Sequence, residues 1–434
     1  MPFSFADYAR ERGVRFFLVS YTDLAGVQRA KLVPRAAMDA MAVSGAGFAG
    51  FATWLDMTPA DPDMFAIPDP ASLIQLPWNS EVAWVAADLV MSGLPLEQAP
   101  RTVLKRQLAL AASRGFSVRT GVECEFFLLD AAASGAGDVR DQQAKPCYDQ
   151  AAVMRNFQLI ARLSDAMESL GWGPYQSDHE DANGQFEMNW HYADALVTAD
   201  RHSFFKYMAK TLAEQAGLRA TFMPKPFAHK SGNGCHVHLS LWDLAGANLM
   251  HHPQGPLGLS PTAYHAIGGL LHHALALCAL TNPTVNSFKR LNAPMTTSGA
   301  TWSPNAVSFT GNNRTHMIRI PDVDRFELRL GDGAANPYLL QAGIIAAVLD
   351  GIAQRRDPGP RHDNNMYTQP LPEGACKRLP ANLLDAMREL RANAEFSAAL
   401  GQDFVRSYLA IKMIEWNTNA AHISAYELTS TLDC

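Results

Sequence analysis

Acidic, basic and imidazole side chains occur at every second position in four short, otherwise apolar stretches of the chain. Successive side chains of a β-strand point to opposite faces, so an alternating polar set shares one face. In GVECEFFLLD, for example, Glu123 and Glu125 lie on one face of a predicted strand. The four polar faces carry Glu123 and Glu125, then Glu187, then His236, His238 and Ser240, and lastly Arg325, Glu327 and Arg329. Four such faces together predict a functional site rather than four separate solvated sheet faces.

The carboxylates of this set favour a divalent metal. Clustered carboxylates repel each other and raise each other's pKa unless cations hold them. Oxygen-rich ligands on rigid strands, together with a histidine, are typical of Mg²⁺ or Mn²⁺ sites. A zinc site is less favoured, because the chain has neither a CxxC pair nor a His-x-x-x-His pair.

Arginines further along the chain add a second kind of chemistry. Arg290, Arg314 and Arg319 would bring several guanidinium groups to the same site. Metal ions that bridge phosphate oxygens, together with arginines that neutralise developing charge, are typical of phosphoryl transfer. A metallo-hydrolase is an alternative, but it would use the carboxylates and leave the arginines without a role.

The elements that must position these residues indicate an α+β fold with two domains. The first hundred residues are rich in strands and turns, including a hairpin predicted in VRFFLVSYTDLAGVQRAKLVP. Pro100 precedes an amphipathic helix, which places a boundary between residues 1–99 and 100–434. Beyond it, helices and strands alternate without a regular period, which argues against a doubly wound fold. We expect TGVECEFFLLD to form one strand and AAVMRNFQLIARLSDAMESLG to form one helix.

Composition and charge are those of an ordinary globular protein and argue against several other classes. The 434 residues are 48% hydrophobic and carry a net charge of -6, so nothing favours a nucleic-acid or membrane partner. The six cysteines are scattered and the N-terminus has no apolar signal-peptide core, both of which suit the cytoplasm. The apolar stretches AIGGLLHHALALCAL and YLLQAGIIAAVLDGIA are predicted to be buried helices rather than membrane spans.

In their order along the chain, these motifs resemble the glutamine synthetase family. The resemblance rests on GVECEFFLLD, FMPKPFAHKSGNGCHVHLSL, NPTVNSFKRLNAP, GNNRTHMIRIP and RFELRLGDGAANPY, and it runs over essentially the whole chain. It implies a small N-terminal β-grasp domain followed by a catalytic domain built on a curved antiparallel sheet. It also implies a ring-forming homo-oligomer, a dodecamer in the family, in which a neighbour's N-terminal domain completes each site.

The resemblance also implies a role for each residue that matches the family's motifs. One metal would be held by Glu125, Glu180 and Glu187, and the other by Glu123, His236 and Glu327. The residues implied for ATP are His238, Ser240 and Arg325 near the phosphates, and Arg314 and Arg319 along the triphosphate. Those implied for glutamate are Arg290 and Arg329 at its carboxylates, Gly232 at its α-amino end, and Glu125 and His236 close by. The residues implied in catalysis are Glu123, Arg290, Arg314 and Glu327.

The implied reaction is a two-step ligation that uses ATP as a substrate, with two or more Mg²⁺ or Mn²⁺ ions at the site. The γ-carboxylate of L-glutamate attacks the γ-phosphorus of ATP, which gives γ-glutamyl phosphate and ADP. An amine nitrogen then displaces phosphate and leaves a γ-amide. Metals and arginines lower the first barrier electrostatically, and a closed site protects the acyl phosphate from water.

The sequence departs from the family where the amine should bind. Ammonia-using members carry one carboxylate on the N-terminal domain and another on a flap after the substrate arginine. Here Ala49 stands at the first position, in GAGFAGFATW, and the flap LNAPMTTSGATWSPNAVSFTGNNR contains no acid. Loss of these charges leaves room for an alkyl group, on which Phe48 or Trp302 would pack. The pattern is similar to the γ-glutamylmethylamide synthetase branch, so methylamine is the expected amine.

Several alternatives stay open. The chain would be an ammonia-using glutamine synthetase if the two acids had simply been lost, or a related ligase that acts on polyamines. A non-catalytic relative is disfavoured, because all six metal-ligand positions are intact. The group that removes the amine proton is unassigned, and Asp178, Glu180 and Asp181 are the acids closest in sequence to the metal ligands.

Overall fold

The computed structural model describes residues 3–434, and its N-terminal part is a mixed sheet with two helices. The elements of this part are α1 (Phe5–Arg12), β1 (Phe16–Thr22), β2 (Gln28–Pro34), α2 (Arg35–Ser44), β3 (Ala46–Phe48), β4 (Met64–Pro68), β5 (Ile74–Gln75), β6 (Val82–Met91) and β7 (Leu94–Pro95). The sheet order is β2-β1-β6-β4-β3, with β5 and β7 also paired to β6. Strand β1 pairs antiparallel with β2 and parallel with β6.

The hairpin predicted near the N-terminus is confirmed as β1 and β2. Its turn forms because the Asp23 side chain accepts hydrogen bonds from the backbone N–H groups of Ala25 (3.1 Å) and Val27 (3.0 Å). Gly26, at a φ of 82°, supplies the left-handed conformation that this turn requires.

The rest of the chain forms two further sheets covered by helices. Its strands are β8 (Phe116–Cys124), β9 (Phe126–Asp130), β10 (Pro174–His179), β11 (Gln185–Trp190), β12 (Ala193–Asp194), β13 (Leu218–Thr221), β14 (Cys235–Asp243), β15 (Phe309–Thr310), β16 (Ile318–Asp322) and β17 (Arg325–Leu328). Its helices are α3 (Pro100–Ser113), α4 (Gln150–Arg155), α5 (Phe157–Ser169), α6 (Ala195–Gln215), α7 (Pro261–Thr281), α8 (Ser287–Leu291), α9 (Pro337–Ala353), α10 (Leu383–Ala392), α11 (Ala394–Leu400), α12 (Gln402–Ala420) and α13 (Ala425–Thr431). The predicted helix that starts at Pro100 is confirmed as α3.

The strand register brings the polar faces together. The six-stranded sheet has the order β12-β8-β14-β17-β16-β15, and the four-stranded sheet has the order β10-β11-β9-β13. In the larger sheet, Glu123 on β8 lies opposite His236 on β14, and His238 on β14 lies opposite Glu327 on β17. Side chains directly opposite each other in such a ladder are close neighbours. The alternating residues therefore meet across strands that are far apart in sequence.

The prediction that TGVECEFFLLD forms one strand is wrong. Strand β8 ends at Cys124 and belongs to the six-stranded sheet, whereas β9 begins at Phe126 and belongs to the four-stranded sheet. Glu125 occupies the break. Its N–H donates to the Gly234 carbonyl (3.1 Å), and its side chain accepts a hydrogen bond from the Gly234 N–H (2.8 Å). The chain thus passes from one sheet to the other at Glu125.

The prediction of a single helix in AAVMRNFQLIARLSDAMESLG is also wrong, because the chain forms two helices there. Helix α4 ends at Arg155 and α5 begins at Phe157. Asn156 lies between them at φ -99° and ψ 10°, outside the helical range, and its side chain donates to the Ala152 carbonyl (3.0 Å). An Asn side chain that bonds to the backbone competes with helix continuation in this way.

The two apolar stretches predicted to be buried helices form α7 and α9, which pack together in the core. Close approach is possible because glycines face each other: a Cβ on Gly269 would lie 2.1 Å from the Ala347 carbonyl oxygen, and one on Gly351 would lie 2.2 Å from that of His265. By length and composition alone, helix α7 could cross a membrane. However, 72% of its most apolar 18-residue window is buried inside the protein, as in a core helix.

Candidate active site

The polar strand faces and several loops line one pocket where the six-stranded and four-stranded sheets join. Most of the residues that the sequence singled out line it, and these are Glu123, Glu125, Asp178, Glu180, Asp181, Glu187, Gly232, His236, Trp302, Arg314, Arg319 and Arg329. Arg290 and Glu327 are buried beside it. The polar residues that alternate along the strands therefore lie together in the folded protein, as a cluster of acids, arginines and one imidazole.

His236 lies between two groups of carboxylates. Its Nδ1 is 3.2 Å from Glu123 Oε2 and 3.6 Å from Glu327 Oε1. Its Nε2 is 4.0 Å from Glu125 Oε1, and this buried nitrogen has no hydrogen-bond partner within residues 3–434. Potential ligand atoms form three tight groups, which are Glu123, His236 and Glu327; Glu125, Glu187 and His236; and Asp178, Glu180 and Glu187.

Burial and mutual repulsion raise the pKa values of part of this cluster. Burial, followed by the neighbouring carboxylates, raises the pKa values of Glu180 and Glu187 well above their usual range. Burial and the charges of Glu123 and Glu125 raise the pKa of Asp178 to about 6. These acids therefore resist ionisation while no cation compensates their charge.

The carboxylates nearest to the histidines and arginines behave in the opposite way. Burial acts to raise the pKa of Glu123, but hydrogen bonds with His236 and His238 outweigh it and hold that pKa well below its usual value. Burial likewise opposes ionisation of Glu327, yet the charges of Arg329 and His236 lower its pKa. The pocket thus contains carboxylates whose pKa values are lowered by histidines and arginines, and carboxylates whose pKa values are raised by burial and by one another.

The donor set fits divalent cations. An unpartnered imidazole nitrogen faces acidic oxygens at ligand-like separations, and oxygen-rich sets of this kind suit Mg²⁺ or Mn²⁺. The predicted set of Glu123, His236 and Glu327 forms one of the tight groups. The predicted set of Glu125, Glu180 and Glu187 is divided between two groups that share Glu187. Both sets stay predictions.

Arginine side chains lie around the pocket. Arg319 Nη1 and Arg329 Nη1 donate to the two oxygens of Glu327, at 2.8 and 2.5 Å. Arg290 is 2% exposed, and its Nη1 donates to the Leu330 carbonyl (3.2 Å). Within the described part of the chain, Arg290 Nη2 and Arg329 Nε are buried donors that have no acceptor. Such donors are costly unless a ligand completes them.

A second pocket adjoins the first through Glu123, which lines both. The predicted ATP residues His238, Ser240 and Arg325 line this second pocket. His238 Nε2 lies 2.9 Å from Glu123 Oε1, so a side chain of the second pocket is in hydrogen-bond contact with a carboxylate that lines both pockets. Trp242, which the sequence reading did not select, also lines it, and its ring lies 4.1 Å below the Arg119 guanidinium. An aromatic wall of this kind is suited to a planar base.

The structure does not bring every predicted residue into the pocket. Phe48 and Ala49 belong to the N-terminal part and line neither pocket. The Phe48 ring packs edge-on against Tyr21 at 5.1 Å and lies under the Lys31 ammonium at 5.0 Å. Ala49 is exposed. A contribution of these residues to an amine site would therefore have to be made to another copy of the chain.

Several pocket residues were missed by the sequence reading. Cys147, Tyr148 and Gln176 line the pocket, as does Ser231. Tyr148 lies in an irregular stretch between β9 and α4, where no periodicity marks a face. Ser231 had a usable signal, because it immediately precedes the glycine-rich turn at Gly232.

The fold and the site define a class of protein in which joined, mainly antiparallel sheets hold a cluster of carboxylates beside buried arginines. Residues 97–431 match the glutamine synthetase catalytic domain, and the chain belongs to the glutamine synthetase family. The resemblance stated from the sequence and the α+β fold that it implied are thereby confirmed.

Known relatives match the chain over its whole length. It is 58% identical over 434 residues, covering 100% of both chains, to a protein of Rhizobium leguminosarum bv. phaseoli named glutamine synthetase. It is 40% identical over 441 residues, covering 100% of this chain and 99% of the relative, to a protein of Methyloversatilis universalis named glutamate–methylamine ligase. A solved GmaS structure in complex with ADP has a TM-score of 0.95 and 59% identity, with 99% of each chain covered. A structure of GmaS without ligand has a TM-score of 0.94 and 58% identity, with 99% of each chain covered.

Proposed function

We propose that the protein is an ATP-dependent ligase that joins L-glutamate to methylamine and forms γ-glutamylmethylamide through γ-glutamyl phosphate. The observation that carries the proposal is the single pocket in which glutamates, His236 and arginines face one another. The relative named glutamate–methylamine ligase and the similar GmaS structures support the choice of amine.

The wall of the pocket also supports an alkylamine. Trp302 lines the pocket from the stretch that follows Arg290, and that stretch contains no carboxylate between Arg290 and Arg314. An ammonium ion needs acceptors on all its faces, whereas a methylammonium ion presents one apolar face. An indole offers that face both apolar area and a cation–π contact.

The glutamate substrate would be held by the buried arginines. Arg290 Nη2 and Arg329 Nε are donors without an acceptor in the described residues, and a substrate carboxylate would complete them. Gly232 leaves space beside Arg290, because a Cβ at that position would lie 3.0 Å from the Arg290 Cγ. Charge-assisted pairs of this kind fix the substrate in one orientation.

Phosphoryl transfer would take place between the two pockets. The γ-carboxylate oxygen of glutamate attacks the γ-phosphorus of ATP, and ADP leaves. Arg314 and Arg319 would neutralise charge on the transferring group. Divalent cations, held by Glu123, His236 and Glu327 and by Glu125, Glu180 and Glu187, would supply Lewis-acid stabilisation of the phosphoryl oxygens.

Amide formation would then require a base near the amine. The amine nitrogen attacks the acyl carbon, the bond from that carbon to the phosphate oxygen breaks, and phosphate leaves with its electron pair. Asp178 is the acid in the pocket whose pKa, raised by burial and by Glu123 and Glu125, is about 6. A carboxylate with that pKa is ionised at neutral pH and accepts a proton more readily than an ordinary aspartate.

The proposal includes the organisation of the molecule. Residues 1–99 would form the N-terminal domain and residues 100–434 the catalytic domain. A ring-forming homo-oligomer would bring the exposed Ala49 of one copy to the pocket of the next. The cytoplasm, where ATP, glutamate and Mg²⁺ or Mn²⁺ meet, is the proposed location.

An ammonia-using enzyme is the second candidate function. It is favoured by the names of the relatives from Rhizobium leguminosarum and Rhizobium meliloti, which are 58% and 57% identical and are called glutamine synthetases. It would form the same acyl phosphate and differ only in the attacking nitrogen.

The two candidates are separated by measuring phosphate release from ATP with glutamate and with methylamine, ethylamine or ammonia in turn. The amide products would be identified by mass spectrometry, and Glu123→Ala would serve as the inactive control. We expect the highest kcat/KM with methylamine. A higher kcat/KM with ammonia would identify a glutamine synthetase. Absence of glutamate-dependent phosphate release would refute both candidates.

A further inference from the structure

One carboxylate fastens the flap segment, residues 293–303, to the floor of the pocket. Asp181 Oδ2 accepts hydrogen bonds from Ser298 Oγ (2.6 Å), Trp302 Nε1 (2.6 Å) and Thr296 Oγ1 (3.1 Å). It also accepts one from Ser231 Oγ (3.0 Å). Three donors of the flap segment thus converge on an oxygen that lies more than a hundred residues earlier in the chain.

Hydrogen bonds from the flap segment offset the cost of burying the Asp181 carboxylate. The residue is 5% exposed, its second oxygen is buried without a partner within the described range, and the four donors to Oδ2 are all neutral. A buried carboxylate is costly unless hydrogen bonds replace its water. Hydrogen bonds to an ionised acceptor are also stronger than those between neutral groups. Opening of the flap segment would remove three of the four donors, so the closed position is favoured.

The same contact fixes the side chain that faces the pocket. Trp302 has a φ of 56°, which is unfavourable for a bulky residue and needs tertiary contacts to maintain it. Its indole N–H is bonded to Asp181 while its side chain lines the pocket. A second attachment, from Thr297 Oγ1 to the Ala144 carbonyl (2.6 Å), holds the outer side of the segment.

The contact also reaches the part of the site proposed for glutamate. Ser231, the fourth donor, immediately precedes Gly232, which lines the pocket beside Arg290. Ser303, at the end of the flap segment, donates to the Arg290 carbonyl (2.9 Å). The flap segment is therefore tied directly through Ser303, and indirectly through Asp181 and Ser231, to residues placed around the substrate.

We propose that Asp181 is a positioning residue that latches the flap segment, so that Trp302 closes the amine side of the pocket. The identity of the reaction rests on the proposed function. While the latch is closed, the acyl phosphate reacts with the amine. When it opens, a water oxygen attacks the acyl carbon, phosphate leaves, and glutamate is regenerated while ATP has been consumed. Asp181 thereby determines how much of the ATP consumed yields amide.

The test compares Asp181→Asn with the unaltered protein. Asparagine keeps the size of the side chain but lacks the charge that strengthens the four hydrogen bonds. Two quantities are measured with saturating glutamate and methylamine: amide formed per phosphate released, and hydrogen–deuterium exchange of residues 293–303. We expect amide per phosphate to fall about tenfold, the size associated with loss of a charge-assisted hydrogen bond. We also expect exchange in the segment to increase. When methylamine and ATP are varied in turn in separate assays, the KM for the amine should rise more than the KM for ATP.

Two further variants make the comparison specific. Trp302→Phe keeps an aromatic wall but removes the indole donor, so it should shift both quantities in the same direction by a smaller factor. Asp165→Asn exchanges an exposed acid on α5 for an amide and should leave both quantities unchanged. The number of Mn²⁺ ions bound, counted by electron paramagnetic resonance, should be the same in all the proteins, because the latch acts on the flap and not on the metals.

The outcomes are decisive and separate the latch from the proposed function. Unchanged exchange together with unchanged amide per phosphate in Asp181→Asn would overturn the latch. A loss of bound Mn²⁺ in that variant would also overturn it, because Asp181 would then act through the adjacent Glu180. If the unaltered protein forms no amide with any amine, the proposed function fails, and exchange in residues 293–303 still decides whether the latch exists.

Discussion

At the scale of single residues, the buried carboxylates of the pocket are arranged for cation binding at the expense of the metal-free protein. Glu187 is 6% exposed, and burial and the charges of Glu123, Glu180 and Glu125 raise its pKa. An acid whose pKa is higher in the folded than in the unfolded state destabilises the fold at neutral pH. Its contribution is fully favourable only below its unfolded pKa and is lost as the pH rises through the folded pKa. A cation bound at these carboxylates would remove that penalty.

Glu187→Gln should therefore stabilise the metal-free protein while it weakens metal binding. In EDTA at pH 7.5, we expect the free energy of unfolding to rise on the order of 1 kcal/mol, because the variant folds without the cost of an acid whose pKa is raised in the folded state. Stability of the unaltered protein should decline more steeply than that of the variant as the pH rises through neutrality. Saturating Mn²⁺ should reverse the order of stability, because it stabilises the unaltered protein more.

The control is Glu168→Gln, which changes an exposed acid on α5. It should alter the free energy of unfolding by no more than about 0.5 kcal/mol, both in EDTA and with Mn²⁺. Denaturant unfolding with and without Mn²⁺ measures all these values. A metal-free Glu187→Gln protein that is less stable than the unaltered one would contradict the account of repulsion in the pocket.

At the scale of elements, the break between β8 and β9 places Glu125 where two sheets meet. The carboxylate of Glu125 accepts hydrogen bonds from the Gly234 N–H (2.8 Å) and from Gln185 Nε2 (2.9 Å). Gly234 is thus hydrogen-bonded to Glu125 at the break between the strands. It also immediately precedes β14, which carries His236. A Cβ on Gly234 would lie 2.8 Å from Glu125 Oε1, 2.8 Å from His236 Nε2 and 3.0 Å from Arg290 Nη2. The absence of a side chain at this position leaves room for three functional groups around the same point.

Gly234→Ala should therefore disrupt the site without unfolding the protein. Its φ lies outside the left-handed range, so the backbone tolerates alanine, and the clash falls on functional side chains. We expect kcat/KM for glutamate to fall about 100-fold, the cost associated with displacing reacting groups by about 1 Å. The melting temperature should change little.

Gly135→Ala is the matched control, because a Cβ there would make only an ordinary contact, 3.7 Å from Asp130 Oδ2. Steady-state kinetics with glutamate as the varied substrate, together with thermal melting of both variants, checks the prediction. Normal kinetics for Gly234→Ala would show that the contacts around Gly234 relax without cost to the site.

At the scale of the whole molecule, one buried arginine joins the N-terminal sheet to the helices around the catalytic sheets. Arg101 on α3 is bonded to Asp69 (2.8 Å), Asp88 (2.7 Å) and Asp200 (3.0 Å), and its side chain is 6% exposed. Asp69 and Asp88 belong to the N-terminal part, whereas Asp200 lies on α6. Asp200 also accepts a hydrogen bond from the Tyr338 hydroxyl (2.8 Å) on α9. The two parts of the chain are thus held as one unit.

Arg101→Met should destabilise the whole molecule, because it leaves three acids around a site that has lost its cation. We expect a loss of about 3–5 kcal/mol, the usual cost of removing one partner from a buried ionic group. Lys105→Met is the control: its ammonium lies 2.6 Å from Asp88, but the side chain is 44% exposed, so it should cost less than about 1 kcal/mol. Denaturant unfolding measures both losses. Equal losses for the two variants would show that Arg101 is not the link between the parts.

Much of the site was predictable because its pattern is local. Alternation along a strand places Glu123 with Glu125, His236 with His238, and Arg325 with Glu327 and Arg329 on common faces, whatever the rest of the fold does. The order of the motifs then identified the family. Neither strand alternation nor motif order predicted the break at Glu125, because the break depends on hydrogen bonds to Gly234, more than a hundred residues away in sequence.

The sequence by itself determined the donor chemistry of this protein, its α+β class and its family, because residue types and their spacing fix which groups share a face. Only the tertiary structure decided which faces meet, where Glu125 leaves one sheet for another, and that Ala49 lies outside the pocket of its own chain. It also decided that Asp181 holds the flap segment, since Ser298 and Trp302 lie more than a hundred residues from that carboxylate in sequence. Contacts between distant segments depend on packing of the whole molecule, and no local pattern encodes them.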